Sequence, residues 1–169
     1  MMVQAIRLFR ILAGGGYSPE DIAKRMNKSL CEGNDEVMYV TMFIGMVSLR
    51  TGHLDFCNCG HNPPLLDGRM IEIKYRNRPL GMFEGDDFRG ESIDDIRDLQ
   101  LLVYTDGLNS AMDSDGQQFG YGRLQQVASE ITNSSSHDLV EALQTAVENH
   151  RKGTPPNDDL TLLGLRVKR

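Results

Sequence analysis

The chain has 169 residues, 40% of them hydrophobic, enough for one domain to bury a core of its own. Its formal net charge of -6 argues against a nucleic-acid-binding face, which needs clustered Lys and Arg. No apolar run approaches the roughly 20 residues that span a bilayer, and the first residues lack the basic, apolar, small-residue order of a signal peptide, so a cytoplasmic protein without membrane insertion is expected.

Val3, Ile6, Phe9 and Leu12 put an apolar stripe on a helix over residues 2–13, which Gly14, Gly15 and Gly16 stop. Ser18 can cap a second helix, with Pro19 at its first position and Ile22, Met26 and Leu30 on its buried face. From Val37 to Leu49 the chain turns β-branched, aromatic and methionine-rich, so Tyr39 to Val47 reads as a long, largely buried strand. The turn Arg50-Thr51-Gly52 leads to a hairpin partner over Leu54 to Asn58. Asp67-Gly68, a pair suited to a two-residue turn, centres another hairpin between Leu65 and Ile73, and these strands read as one antiparallel meander. Phe88 to Ile93 forms a shorter strand, and Leu99 to Tyr104 has the solid apolar content of a central one. Leu124, Val127 and Ile131 space a third helix. Leu139, Leu143 and Val147 space a fourth, which Ser136 can cap, and Leu160 to Val167 forms a final strand. Strands in the middle with helices at both ends predict a single α+β domain over residues 1–169.

The chemistry concentrates at two strand ends. In Val103-Tyr104-Thr105-Asp106-Gly107 a carboxylate stands directly beyond a buried strand and a glycine lets the backbone turn away; in Asn157-Asp158-Asp159-Leu160-Thr161 two carboxylates stand at the mouth of the last strand. Hard cations such as Mg²⁺ and Mn²⁺ prefer such oxygen ligands, although an Asp-Gly after a strand is by itself more often a plain turn.

Together with Tyr39 to Gly45, Thr51-Gly52-His53-Leu54, Gly60-His61-Asn62-Pro63-Pro64-Leu65-Leu66, Pro79-Leu80-Gly81 and Phe119-Gly120, these motifs resemble the sporulation and sigma-regulator branch of the metal-dependent serine/threonine protein phosphatases, the PPM family, along nearly the whole chain. The resemblance implies an antiparallel β-sandwich between helical layers (αββα). It also implies two Mn²⁺ or Mg²⁺ ions at one end, with Asp106 and one of Asp158 and Asp159 as metal ligands and Gly107 as backbone near the metal. The catalyst is then a metal-activated water in place of a side-chain nucleophile. The implied substrate is phosphoserine or phosphothreonine on a regulatory protein of the anti-sigma-factor-antagonist type, and a sensor domain can precede the phosphatase in the full-length protein. Family members carry two further acidic motifs ahead of the first helix, and this chain has neither, so it reads as a domain lacking its first strands, with Asp106 and Asp158 expected side by side but weak for metal. An alternative is an inactive phosphatase-like module that binds a regulatory protein.

Other features have plainer readings. Three cysteines, with Cys57 and Cys59 one residue apart, make no disulfide framework and read as reduced thiols in packing positions. His61, before Asn62-Pro63-Pro64, reads as a loop-holding residue in preference to a general acid. Asp113-Ser114-Asp115-Gly116 starts like a calcium loop but lacks its later ligands, and reads as a solvated turn.

Overall fold

The computed structural model describes residues 1–36, 38–132 and 134–169. Val37, the start of the predicted β-rich stretch, lies outside the described residues. The elements are α1 (Met2–Ala13), α2 (Pro19–Cys31), β1 (Met42–Val47), β2 (Leu54–Cys59), β3 (Leu65–Leu66), β4 (Arg69–Met70), β5 (Glu91–Ile93), β6 (Gln100–Tyr104), α3 (Gly120–Glu130), α4 (Ser136–Arg151) and β7 (Leu162–Arg166). They form two compact units, one of Met1–His61 with Ile73–Asp95, the other of Asn62–Glu72 with Ile96–Arg169. Each unit is a pair of helices with one antiparallel sheet, the mixed α+β architecture that the pattern predicted.

The first unit carries a three-stranded sheet in the order β1-β2-β5, with α1 packed on α2 and α2 on β1 and β2. Helix α2 starts as its sequence dictates: the Ser18 hydroxyl accepts a hydrogen bond from Asp21 N at 3.3 Å, Pro19 fills the first turn, and Ile22, Met26 and Leu30 are buried. In α1 the buried stripe differs from the predicted one. Steps of three lag the helix by about 60° each, so Val3, Ile6, Phe9 and Leu12 spiral around it. The face that closes on the core is Met1, Ala5, Leu8, Phe9 and Leu12, while Val3 and Ile6 stay exposed. Strand β1 is also shorter than predicted and only half-buried, because it is an edge strand with a neighbour on one side only. Asn27, buried in α2, holds the 81–84 loop: its Oδ1 accepts from Gly81 N and its Nδ2 donates to Phe83 O, both at 2.8 Å.

The second unit has a four-stranded sheet in the order β4-β3-β6-β7, so the strands do not make one continuous meander. The chain leaves the first sheet after β2, returns to it for β5, and closes the second sheet with β6 and β7. Asp67 and Gly68 both take positive φ, 51° and 78°, as the predicted two-residue turn requires. The core joins Leu65, Leu102 and Tyr104 to Leu124 and Ala128 of α3 and to Leu139, Leu143 and Val147 of α4. The cap of α4 is Ser135, not Ser136. Its hydroxyl accepts from Asp138 N at 3.1 Å while the Asp138 carboxylate accepts from Ser135 N at 2.9 Å, a reciprocal capping box. Among the described residues no helix is long and apolar enough to cross a membrane.

Candidate metal centre

The candidate carboxylates all belong to the second unit. Strand β6 is buried along its length apart from Val103, and beyond Tyr104 the chain turns sharply through Asp106-Gly107-Leu108, with Leu108 N bonded to Thr105 O and Ser110 N to Asp106 O. Antiparallel pairing of Tyr104 with Leu162 brings the segment before β7 to the same end of the sheet. Thr105 then fastens the two loops together. Its backbone N–H donates to Thr161 O at 3.1 Å, its hydroxyl accepts from Thr161 N at 2.9 Å, and the same hydroxyl donates to Asp159 O at 3.2 Å. Asn157 Nδ2 adds a bond to Ser110 O at 3.2 Å.

Gly107 is required by this approach. A Cβ built on it would run into the carbonyl of Asp159, lying 2.8 Å from the carbonyl carbon and 3.3 Å from Leu160 Cα. The glycine of the Asp-Gly pair is thus a spacer between two backbones, with φ outside the left-handed region.

The Asp106 and Asp158-Asp159 loops are therefore neighbours through their backbones, and all three aspartates are exposed. Asp158 Oδ1 accepts from Asp159 N at 2.8 Å, which orients that carboxylate along its own backbone. The oxygen donors are of the type that Mg²⁺ and Mn²⁺ take. Among the described residues, however, no group of three or more His, Cys, Asp or Glu side chains could hold a metal ion. The donor chemistry fits the ions, and the number of converging ligands is short.

The Asn-Pro-Pro turn is tied to the same place. Asn62 Nδ2 donates to Asn109 Oδ1 at 3.2 Å, two residues beyond Gly107. Within the first unit Asn58 brackets His61, its Oδ1 accepting from His61 N at 2.8 Å and its Nδ2 donating to His61 O at 3.0 Å, while the imidazole Nδ1 lies 3.4 Å from Thr41 Oγ1. Cys57 and Cys59 are fully buried with their sulfurs 3.8 Å apart; the neighbouring thiol and burial push the Cys59 thiol well above its ordinary range, so it stays protonated. Asp113 closes a local turn by accepting from Asp115 N and Gln117 N at 3.0 and 2.9 Å, bonds that hold its carboxyl below the usual range. Behind the site, burial raises the Tyr104 phenol above its ordinary value, with Tyr121 adding to the effect, and its Oη has no partner among the described residues. Sequence reasoning gave no role to Thr105, Asn109 or Asn157, since a hydroxyl or amide in a loop carries no signal of the partner it will meet.

Comparison with known proteins identifies the fold and the family. The structure superposes on the PP2C phosphatase domain of the cell-fate determinant SpoIIE from Bacillus subtilis with a TM-score of 0.79 at 18% identity, covering 97% of this chain and 49% of that one. The fold is that of the bacterial PP2C phosphatase domains. The family model of stage II sporulation protein E (SpoIIE) matches residues 1–168, and the chain belongs to that family. It is 26% identical over 168 residues to the phosphoserine phosphatase RsbP of Bacillus subtilis, covering 95% of this chain, and 25% identical over 137 residues to protein IcfG of Synechocystis, covering 79%. The aligned parts span 40% and 22% of the lengths of those two relatives.

Proposed function

We propose that residues 1–169 belong to a metal-dependent protein phosphatase domain that hydrolyses phosphoserine or phosphothreonine on a bacterial regulatory protein of the anti-sigma-factor-antagonist type, in the cytoplasm. The observation that carries this reading is the Thr105 latch, which sets the Asp106 and Asp158-Asp159 loops side by side at one end of the β6-β7 pair. Membership in the SpoIIE family supports it, as does the likeness to RsbP. Asp106 together with Asp158 or Asp159 would hold Mn²⁺ or Mg²⁺, with Gly107 as the backbone beside it. When bound, two such ions would make hydroxide available at neutral pH for attack on phosphorus and would offset charge on the phosphoryl oxygens. The residues of this chain serve to fix that end of the sheet: Thr105 and Asn157 hold the loops, and Gly107 lets them approach.

A second reading, a phosphatase-like module that binds a regulatory partner without turnover, is favoured by the shortage of converging ligands among the described residues. Phosphate release from a phosphoserine peptide with Mn²⁺ separates the two. The expected result is Mn²⁺-dependent turnover when a segment carrying the family's two acidic motifs is joined ahead of residue 1, little turnover by residues 1–169 alone, and loss of most turnover in the extended Asp106→Asn variant. Retention of phosphopeptide with no release in the extended protein would select the binding module, and full activity in Asp106→Asn would remove the aspartate from the site.

A further inference from the structure

Arg151 ends α4 with two guanidinium nitrogens, Nε and Nη2, buried and without a hydrogen-bond partner among the described residues. An arginine cannot shed its charge, so buried donors left unmet are costly unless an anion completes them. Spacing explains the burial: Leu139, Leu143 and Val147 face the core at intervals of four, and Arg151 is the next position of that row.

The length of α4 and the contacts of His150 put the end of the helix toward the end of the sheet that bears the aspartates. The start of α4 lies over β7, where a Cβ on Gly164 would come within 3.0 Å of Ser136 O. Near it Gln100 Nε2 and Arg166 Nη1 both donate to Ser134 O, at 2.8 and 2.6 Å. Fifteen residues at about 1.5 Å each then carry the helix about 22 Å. Strand β7 begins at Leu162, two residues before Gly164, so that length reaches past the start of the strand toward the loop that precedes it. Independent contacts agree: His150 Nε2 lies 2.9 Å from Gln117 O and its ring stands edge-on to Phe119, whose N–H bonds to Ala111 O in the segment that follows Asp106-Gly107.

We propose that the Arg151 guanidinium is an oxyanion-binding residue that takes the phosphoryl group of a phosphorylated substrate at this end of the second unit; the inference rests on the phosphatase-domain reading above. A planar fork of donors matches two phosphoryl oxygens at once, which an ammonium does not.

The test is binding of a phosphoserine peptide, its unphosphorylated serine counterpart and inorganic phosphate to the 169-residue chain without metal, by ³¹P line broadening and thermal shift, for wild type, Arg151→Met and Arg151→Lys. The wild type is expected to bind the phosphopeptide and phosphate but not the serine peptide, and Arg151→Met to lose roughly tenfold to a hundredfold in affinity, the loss of a hydrogen-bonded charge. Arg151→Lys, which keeps charge without the fork, falls between and covers the case of a poorly folded methionine variant. In phosphate-free buffer Arg151→Met should melt above wild type, since an apolar chain of similar size replaces a half-buried guanidinium with two buried nitrogens left without a hydrogen-bond partner among the described residues. Equal phosphate affinity in wild type and both variants, no phosphate binding by wild type, or a lower melting point for a folded Arg151→Met would each overturn the proposal. Phosphate binding intact in a protein whose extended form shows no turnover would leave Arg151 in its role and remove only the catalytic reading.

Discussion

Gly107→Ala tests the backbone approach on which the site depends. The new methyl group would meet the carbonyl of Asp159 and approach Leu160 Cα at 3.3 Å, and these are backbone atoms that cannot rotate away like the end of a side chain. Because Gly107 does not use positive φ, alanine brings no conformational strain and gains about 0.4–1 kcal/mol from a stiffer unfolded chain. Overpacking of a fixed site costs about 1–3 kcal/mol. The difference leaves a net loss of roughly 1–2 kcal/mol, which for a chain of this size lowers the melting temperature by about 2–8 °C. Gly122→Ala in α3 is the matched control, since nothing lies within 4 Å of its Cβ position, and it should be neutral or stabilising by up to about 1 kcal/mol. Urea and thermal unfolding of the two variants beside wild type give the comparison. A Gly107→Ala protein as stable as wild type would mean that the two loops separate freely, and the close approach would have no part in building the site.

The capping assignment predicts that Ser135→Ala costs about 1 kcal/mol in urea unfolding while Ser136→Ala costs a few tenths at most; equal effects would return the cap to Ser136. Asp138 is held below the usual carboxylate range by the Ser135 hydroxyl first and by the Ser135 backbone N–H second. Its folded value lies below its unfolded one, so its contribution is fully present above the ordinary value of 3.8 and disappears as pH falls through the lower folded value. The stability gap between wild type and Asp138→Asn should therefore close on acidification below pH 3.8, and a gap that stayed constant would refute the linkage. Tyr104→Phe removes a buried hydroxyl with no partner among the described residues, and is expected to be neutral or to stabilise by up to about 1 kcal/mol; a loss above that would reveal a partner for Oη. Calorimetric titration of residues 1–169 with Mn²⁺ should give a dissociation constant weaker than micromolar, since no three side chains converge among the described residues; a micromolar value abolished in Asp106→Asn would show that the ligands present suffice.

Local chemistry was the legible part of the sequence. Ser18-Pro19 began α2, Asp67-Gly68 made its turn, and the solid apolar run before Asp106 became β6, because each signal acts within a few residues. What failed depended on neighbours distant in sequence. Tyr39 to Val47 has strand composition throughout, but burial of β1 was decided by its place at a sheet edge, which composition does not record. The α1 stripe went wrong because Ala5, the residue most deeply buried in that helix, is too small to register as hydrophobic signal. At the candidate site the aspartates stood out as motifs, whereas Thr105 and the proposed Arg151 did not: one bonds to a partner 54 residues away, and the other is marked by the burial of two of its end nitrogens.

The interleaving of the two units bears on how the chain acquires its shape as it is made. Neither sheet is encoded in one stretch: β2 waits for β5, whose Ile93 faces Leu54, and β3 waits for β6, whose Leu102 faces Leu65. A hairpin of β1 and β2 can form as soon as it leaves the ribosome, yet the β6-β7 pair and the Thr105 latch exist only once residues 157–166 have been synthesised. Distant pairings of this kind must overcome loop-closure entropy before any contact rewards them, which makes folding slow. During translation the apolar run of β6 therefore waits without its β7 neighbour, and this nascent interval is where chaperone capture or misassociation has its opening.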